Sequence, residues 1–373
     1  MSLLFSPLVL GPQGHGLELT NRLVVAPMCQ YAADHGRATD WHLFHWANLL
    51  NSGAGLVVIE ATAVVPEGRI SPGCLGLWDD ATEAAFTQHL HRARALAPAV
   101  PVCLQLAHAG RKASSALPWD GGALLAPEQG GWPTVAPSAV PHLPHETPPH
   151  ALSEADLHRL TDAFAQAARR AARAGVDALE LHAAHGYLLH QFLSPLANHR
   201  TDAWGGDFAG RTRWPNQVFA AVRQAFGGPV GVRVSATDWV PGGWTVEDTA
   251  RWATDLKAAG ADFVHVSSGG LSPQQTIPLG PGYQLPLARQ VRQTAGCTTV
   301  AVGLITQAEQ AEAVLQQGDA DLVALARAFL YNPRWGWHAA AQLGATVTAN
   351  PRYWRCPPAG TGTQFANARI GAR

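Results

Sequence analysis

Two histidines and a tyrosine fall within six residues, in the stretch His182-Ala183-Ala184-His185-Gly186-Tyr187. Two imidazole N–H donors can hold one oxygen between them, and a phenol nearby can deliver a proton. That combination suits a reaction in which a carbonyl oxygen gains negative charge while a neighbouring carbon is protonated. The same pair could instead ligate a metal in a hydrolase, with a carboxylate such as Asp238 completing the site. Other chemistry-bearing residues stand in or after apolar runs: Cys29-Gln30-Tyr31 after Val25-Ala26-Pro27-Met28, Gln105 in Leu104-Gln105-Leu106, and Arg233 in Val230-Gly231-Val232-Arg233-Val234-Ser235. Taken singly, each is an ordinary core or strand-end residue; their convergence depends on the fold.

Short apolar runs at 23–28, 55–64, 101–108, 178–185, 229–235, 263–268, 299–303 and 322–326 read as strands. Amphipathic stretches at 41–50, 82–96, 153–175, 211–226, 245–260, 285–294, 307–317 and 335–343 read as the helices between and after them. About eight β–α units in strict order predict an α/β fold: a single (β/α)8 TIM barrel, with no separate second domain. The apolar pairs around residues 11–16 predict an N-terminal hairpin closing the barrel bottom. Alternation along the strands puts Gln105, Glu180, His182 and Arg233 on the barrel interior, where barrel enzymes keep their chemistry near strand C-termini. Gly303 and Arg327 end the seventh and eighth runs, the usual place for a phosphate in such barrels. Residues 109–150, rich in Pro and Gly, form a long excursion after the third strand, expected to act as a lid, an interface element or a hairpin. The barrel is expected over 1–355, with 356–373 as a mobile tail.

Composition excludes several classes. Of 373 residues, 47% are apolar and 14% charged, so a large core is available and global disorder is not. A net charge of −1 offers no field for nucleic acid or anionic membrane. No apolar run is long enough to span a bilayer, and no signal peptide is evident. The five cysteines are odd in number and scattered, fitting neither a disulfide framework nor a zinc ribbon. A cytoplasmic protein is the expectation.

Motifs in order over nearly the whole chain resemble the Old Yellow Enzyme family of flavin-dependent ene-reductases, in its short bacterial, thermophilic-like subclass. They are Asn21-Arg22; Ala26-Pro27-Met28-Cys29-Gln30-Tyr31; Glu60-Ala61-Thr62; Gln105 to Lys112; Ala136-Pro137-Ser138-Ala139; the H-x-x-H-x-Y stretch; Arg200-Thr201-Asp202-Ala203-Trp204-Gly205-Gly206; and Val302-Gly303-Leu304. The resemblance implies FMN held without a covalent bond by Ala26, Pro27, Met28, Cys29, Ala61, Gln105 and Arg233, with Gly303 and Arg327 on its phosphate. NADPH or NADH would be the reductant, and no metal is expected. His182 and His185 would bind the substrate oxygen, Tyr187 would donate the proton, Tyr31 would assist from the opposite side, and Cys29 would tune the flavin potential. The substrates implied are small enones, nitroalkenes and quinones. Tyr353-Trp354-Arg355 resembles a segment that reaches into a partner's site, so a homodimer or dimer of dimers is expected, with Arg355 crossing between subunits. Ala326-Arg327 departs from the family's usual Gly-Arg.

Overall fold

The computed structural model describes residues 2–11, 16–358 and 364–369. Eight parallel strands close into a barrel in sequence order: β1 (Leu23–Val25), β2 (Leu56–Ala63), β3 (Val102–Ala107), β4 (Ala178–Ala183), β5 (Val230–Ser235), β6 (Phe263–Ser267), β7 (Thr299–Val302) and β8 (Leu322–Leu325). The barrel closes through Leu325 beside Val25. Around it run α1 (Asp40–Leu50), α2 (Asp80–Ala95), α3 (Glu154–Arg173), α4 (Phe208–Ala225), α5 (Val246–Ala258), α6 (Leu285–Ala295), α7 (Ala308–Gln316) and α8 (Trp335–Gln342). The expected (β/α)8 barrel is present, every strand and helix lying within the predicted stretch or within a few residues of it.

Local chemistry sets these boundaries. Ser153 accepts the Asp156 amide and forms a capping box that starts α3. Leu157, Leu160, Phe164, Ala168 and Ala171 then make its buried stripe at helical spacing. β1 stops at Val25, short of the predicted residue 28, because Pro27 has no N–H to extend a ladder. The expected hairpin pairs Leu8–Leu10 with Leu17–Leu19; the calls on 12–15 within it lie outside the described residues.

The barrel interior is layered. Val24, Leu56, Val58, Cys103, Ala178, Phe263, Val300 and Leu322 fill its lower part, and Leu10 and Leu19 of the hairpin plug it from below. A larger apolar shell lies between strands and helices. Polar side chains occupy only the upper interior, which confines the candidate chemistry to one end.

The excursion contains one short antiparallel turn, with Ser115 opposite Leu124, the Ala116 amide donating to the Ala123 carbonyl at 2.8 Å and the Leu125 amide to the Ser114 carbonyl at 2.7 Å. Val135–Ala136 pairs in parallel with His150–Ala151, and three short 3-10 turns punctuate the remainder. Beneath it lies a cavity of about 910 Å³, bordered by Arg111, Lys112, Trp132, His142 and Glu146. Beyond Cys356, the chain returns to the body at Phe365, which is buried against Trp337 with their ring centroids 5.0 Å apart. The call of a mobile tail otherwise falls on 359–363 and 370–373, outside the described residues. No helix among the described residues is long and apolar enough to cross a membrane.

Candidate active site

β4 ends at Ala183, so His185 is not on the strand as the apolar run implied. It sits in a turn with φ +57, followed by Gly186 at φ +75. A non-glycine residue in this left-handed region costs roughly 1–2 kcal/mol. Neighbouring contacts offset that cost: Ser235 Oγ accepts the His185 amide at 2.9 Å, and Lys112 Nζ donates to the carbonyls of His185 and Gly270 at 2.9 Å each. Gly186 is required sterically, since a Cβ there would lie 2.2 Å from the Gly270 carbonyl oxygen. Its amide donates to His190 Nδ1 at 2.9 Å, and His190 Nε2 lies 2.9 Å from Asp238 Oδ1. The turn is therefore clamped from both sides before Tyr187 starts the short helix Leu188–Leu193.

The three rings of the motif form one wall, His182 buried and His185 and Tyr187 half-buried. The His182 ring meets His185 edge-on at 5.1 Å and Tyr187 edge-on at 4.8 Å. The Ala184 amide donates to His182 Nδ1 at 3.2 Å, which puts the ring proton on Nε2. That Nε2–H has no acceptor among the described residues. His185 Nε2 is engaged, 2.8 Å from Ser267 Oγ. Burial lowers the pKa of both imidazoles well below the ordinary value, and Arg233 reinforces it, so both are neutral donors at neutral pH. Burial raises the Tyr187 phenol well above its usual range and keeps its proton on.

Strands β3 to β6 supply an inner network below this wall. Gln105 Nε2 donates to Glu180 Oε1 at 2.7 Å, and His265 Nδ1 lies 2.8 Å from Glu180 Oε2. Burial opposes ionisation of Glu180, but the charges of His265 and Arg233 and the two hydrogen bonds outweigh it and lower its pKa. One Gln105 N–H is committed to Glu180, which leaves its carbonyl oxygen and second N–H for a ligand. Arg233 is buried, and its Nε has no hydrogen-bond partner among the described residues.

On the facing side, Tyr31 also adopts a left-handed backbone, φ +55. Its ring packs edge-on against the exposed Trp119 of the excursion at 5.8 Å. Cys29 is half-buried, Met28 packs against the core, and Ala61 is buried on β2. Gly303, at φ +124, and Arg327 follow β7 and β8 at the same end of the barrel. Arg355 is not brought to this end. It is exposed just after Tyr353, whose ring meets Trp337 at 5.3 Å. Trp337 in turn packs on Gly53 in the α1–β2 loop, at the opposite end of the barrel.

The metal-site alternative loses its third ligand. Asp238 is committed to His190, to the Ser194 hydroxyl at 2.6 Å and to the Trp244 amide at 2.8 Å. Among the described residues no three His, Cys, Asp or Glu groups are placed to hold a metal ion.

Residues 3–345 match the NADH:flavin oxidoreductase / NADH oxidase family. The chain is 42% identical over 361 residues to an NADPH dehydrogenase of Geobacillus thermodenitrificans, covering 95% of this chain and 98% of the relative. It is 41% identical over 347 residues to that of Halalkalibacterium halodurans, covering 91% and 96%. The chain belongs to this flavin oxidoreductase family. Morphinone reductase superposes with a TM-score of 0.75 at 28% identity, covering 99% of this chain and 94% of that one. Its complex with tetrahydroNAD matches at 0.74 and 28%, covering 98% and 94%. The protein is thus an FMN-dependent oxidoreductase taking electrons from a nicotinamide coenzyme, in the family that the motifs resembled.

The residues present fit a flavin. A buried guanidinium with an unpaired Nε–H, beside an amide with its oxygen and second N–H available, matches the alternating acceptors and donors of a pyrimidine edge. Several contributors to this flavin oxidoreductase site carried no role in the sequence. Ser267 and His265 follow the same inside–outside alternation on β6 that marked Arg233 on β5, and that alternation is the signal for them. Lys112 stood in a motif but pairs with carbonyls distant in sequence, for which no local pattern exists. Trp119 and the His190–Asp238 pair likewise depend on tertiary contacts alone.

Proposed function

We propose that this flavin oxidoreductase is an ene-reductase that reduces the activated C=C bond of small α,β-unsaturated carbonyl and related compounds. FMN, when bound, would supply the redox chemistry, with electrons from NADPH or NADH and a hydride for the substrate Cβ. Arg233 and Gln105 would hold its pyrimidine edge, Ala26, Pro27, Met28, Cys29 and Ala61 would line its ring, and Gly303 with Arg327 would take its phosphate. Arg233 places positive charge where the reduced ring carries its negative charge.

His182 polarises the substrate oxygen through its uncommitted Nε2–H. His185 joins it when Ser267 donates its hydroxyl proton to Nε2 and so leaves the ring proton on Nδ1. Tyr187, kept protonated by burial, delivers its phenolic proton to Cα. Tyr31 and Trp119 bound the pocket opposite, and the excursion keeps water from the wall. Arg355 completes a neighbouring subunit's site in a dimer, in keeping with its distance from its own.

The observation carrying this reading is the His182–Tyr187 wall: a neutral oxygen-binding donor and a protonated phenol with ring centroids 4.8 Å apart. Tyr187→Phe tests it. Losing a positioned acid costs about 10²- to 10⁴-fold, so reoxidation of reduced enzyme by cyclohexenone should slow by that factor while reduction by NADPH is unchanged. A variant that reoxidises at the parent rate and still places solvent deuterium at Cα would refute the role of Tyr187.

A further inference from the structure

Glu60 is a buried acid on β2 that the proposed reaction does not use. The strand carries a bulge at this point. Ile59 pairs with Leu104 and Thr62 with Leu106, so Glu60 and Ala61 together oppose the single residue Gln105. An extra residue of this kind bends a strand and re-aims its side chains. Here it leaves the Glu60 carboxyl crossing to the turn that follows β1, where Oε2 accepts the Gln30 amide at 2.8 Å.

That bond has no substitute nearby. Among the described residues, Gln30 carries the only backbone N–H between Pro27 and Ala32 with a protein acceptor. The flanking anchors are the Ala26 amide on the Leu325 carbonyl at 2.9 Å and the Ala33 amide on the Gly73 carbonyl at 2.8 Å. Between them stands Tyr31 with its left-handed backbone, which a non-glycine residue keeps only where its surroundings fix it. The Gln30 side chain bonds the Met28 carbonyl at 3.0 Å within the turn and the exposed Trp41 indole at 3.1 Å. Neither bond ties the turn to the barrel wall; the Glu60 carboxyl does.

On its other side, Glu60 Oε1 lies 3.6 Å from His42 Nε2, beyond hydrogen-bond reach, and both atoms are buried without a partner among the described residues. Burial lowers His42 to about 4, so the imidazole is neutral and the two groups are not an ion pair. Burial also lifts the Glu60 carboxyl well above its usual range. What Glu60 supplies is therefore an acceptor at a fixed reach, and not a charge.

We propose that Glu60 is a positioning residue: through the Gln30 amide it sets the turn that places Tyr31 against the acceptor substrate. The inference rests on the reading above in which Tyr31 bounds the substrate pocket. A neutral hydrogen bond of this kind corresponds to about 2- to 12-fold in a binding constant.

The test compares two variants of the full-length, flavin-loaded protein. Glu60→Asp keeps the acid but withdraws it by one methylene; Glu60→Gln keeps the reach and removes the acid. Two quantities are read: hydrogen exchange by mass spectrometry in the peptide spanning Gln30, and the KM for cyclohexenone. Glu60→Asp should lose the exchange protection and raise KM by about 2- to 12-fold, while Glu60→Gln keeps both at the parent values. In a Tyr31→Phe background the KM rise from Glu60→Asp should vanish. The reverse order, with Glu60→Gln impaired and Glu60→Asp normal, would mean that charge and not reach matters and would overturn the inference. An undiminished KM rise in the Tyr31→Phe background would overturn it as well. Tyr31→Phe with the parent KM would overturn the pocket reading and this inference with it; an effective Tyr31→Phe beside a silent Glu60→Asp would overturn this inference alone. If the aspartate variant fails to fold, Glu60→Gln still decides, because lost protection or a raised KM in it contradicts a role through reach.

Discussion

Removing the oxygen-binding imidazoles one at a time should give unequal losses. His182 carries its proton on Nε2, fixed by the Ala184 amide on Nδ1, and that proton is committed to nothing else. Deleting an oxyanion donor of this kind costs about 10²- to 10³-fold, roughly 2.7–4 kcal/mol. His185 offers Nδ1–H to the same oxygen only when the Ser267 hydroxyl donates to Nε2 across their 2.8 Å contact and gives up its own 3.5 Å hydrogen bond to Gln284 Oε1. A neutral hydrogen bond is worth about 0.5–1.5 kcal/mol net. His185→Ala should therefore be the milder variant by about 2- to 12-fold. Stopped-flow absorbance separates the two halves of the cycle: anaerobic reduction by NADPH, then reoxidation by cyclohexenone. Both losses belong to reoxidation. Equal slowing of both halves by His182→Ala, or a larger loss from His185→Ala, would refute the tautomer argument.

Three further outcomes are expected. Glu180→Gln removes the anion nearest Arg233 in the inner network, leaving that cation uncompensated, so the flavin midpoint potential should rise; a spectroelectrochemical titration showing no change or a fall would contradict the charge assignment. Gly186→Ala puts a methyl 2.2 Å from the Gly270 oxygen at φ +75, so a large loss of thermal stability is expected by calorimetry, together with loss of acceptor turnover. Acid should destabilise the fold early. His42, His45 and His108 are buried with pKa lowered to about 4, so below the unfolded value of 6.5 the unfolded chain binds protons that the native one refuses. Each such site costs about 1.4 kcal/mol per pH unit there, about 4 kcal/mol together at pH 5.5. Buried Glu60, with its pKa raised, works in the opposite direction but is a single group. Urea midpoints that stay flat from pH 7 down to 5 would disprove the burial of these imidazoles as neutral groups.

The barrel was legible because its signal is repetitive: apolar runs of period two alternate with stripes of period 3.6, and an error in one unit leaves the others standing. The layer of Gln105, Glu180, His182 and Arg233 was legible for the same reason, since alternation along a strand assigns faces without knowledge of neighbours. Turns carry no such redundancy. The apolar run through residue 185 hid the fact that β4 stops at Ala183, because the left-handed turn at His185 is held by Ser235 and Lys112 from other units of the barrel. Asp238 was a reasonable metal ligand by residue type. Only its contact with His190, across the β4–α4 and β5–α5 connections, reveals a structural role. Trp119 was invisible because its contribution depends on how a Pro- and Gly-rich excursion folds back over Tyr31.

The charge arrangement also explains why histidines can serve where a cation would seem the stronger choice. Burial depresses the two imidazoles most, and Arg233 and Lys112 add to it. An imidazolium there would hold a substrate oxygen more strongly but would add positive charge already supplied by Arg233 beneath the wall. Neutral imidazoles instead make the oxygen site insensitive to protonation near pH 6.5, the value at which an exposed histidine would titrate. Reoxidation by an uncharged enone should consequently be flat between pH 6 and 8. A bell or step centred near 6.5, present in the parent and abolished in His182→Ala, would mean that His182 is charged in the resting enzyme and that burial does not dominate its titration.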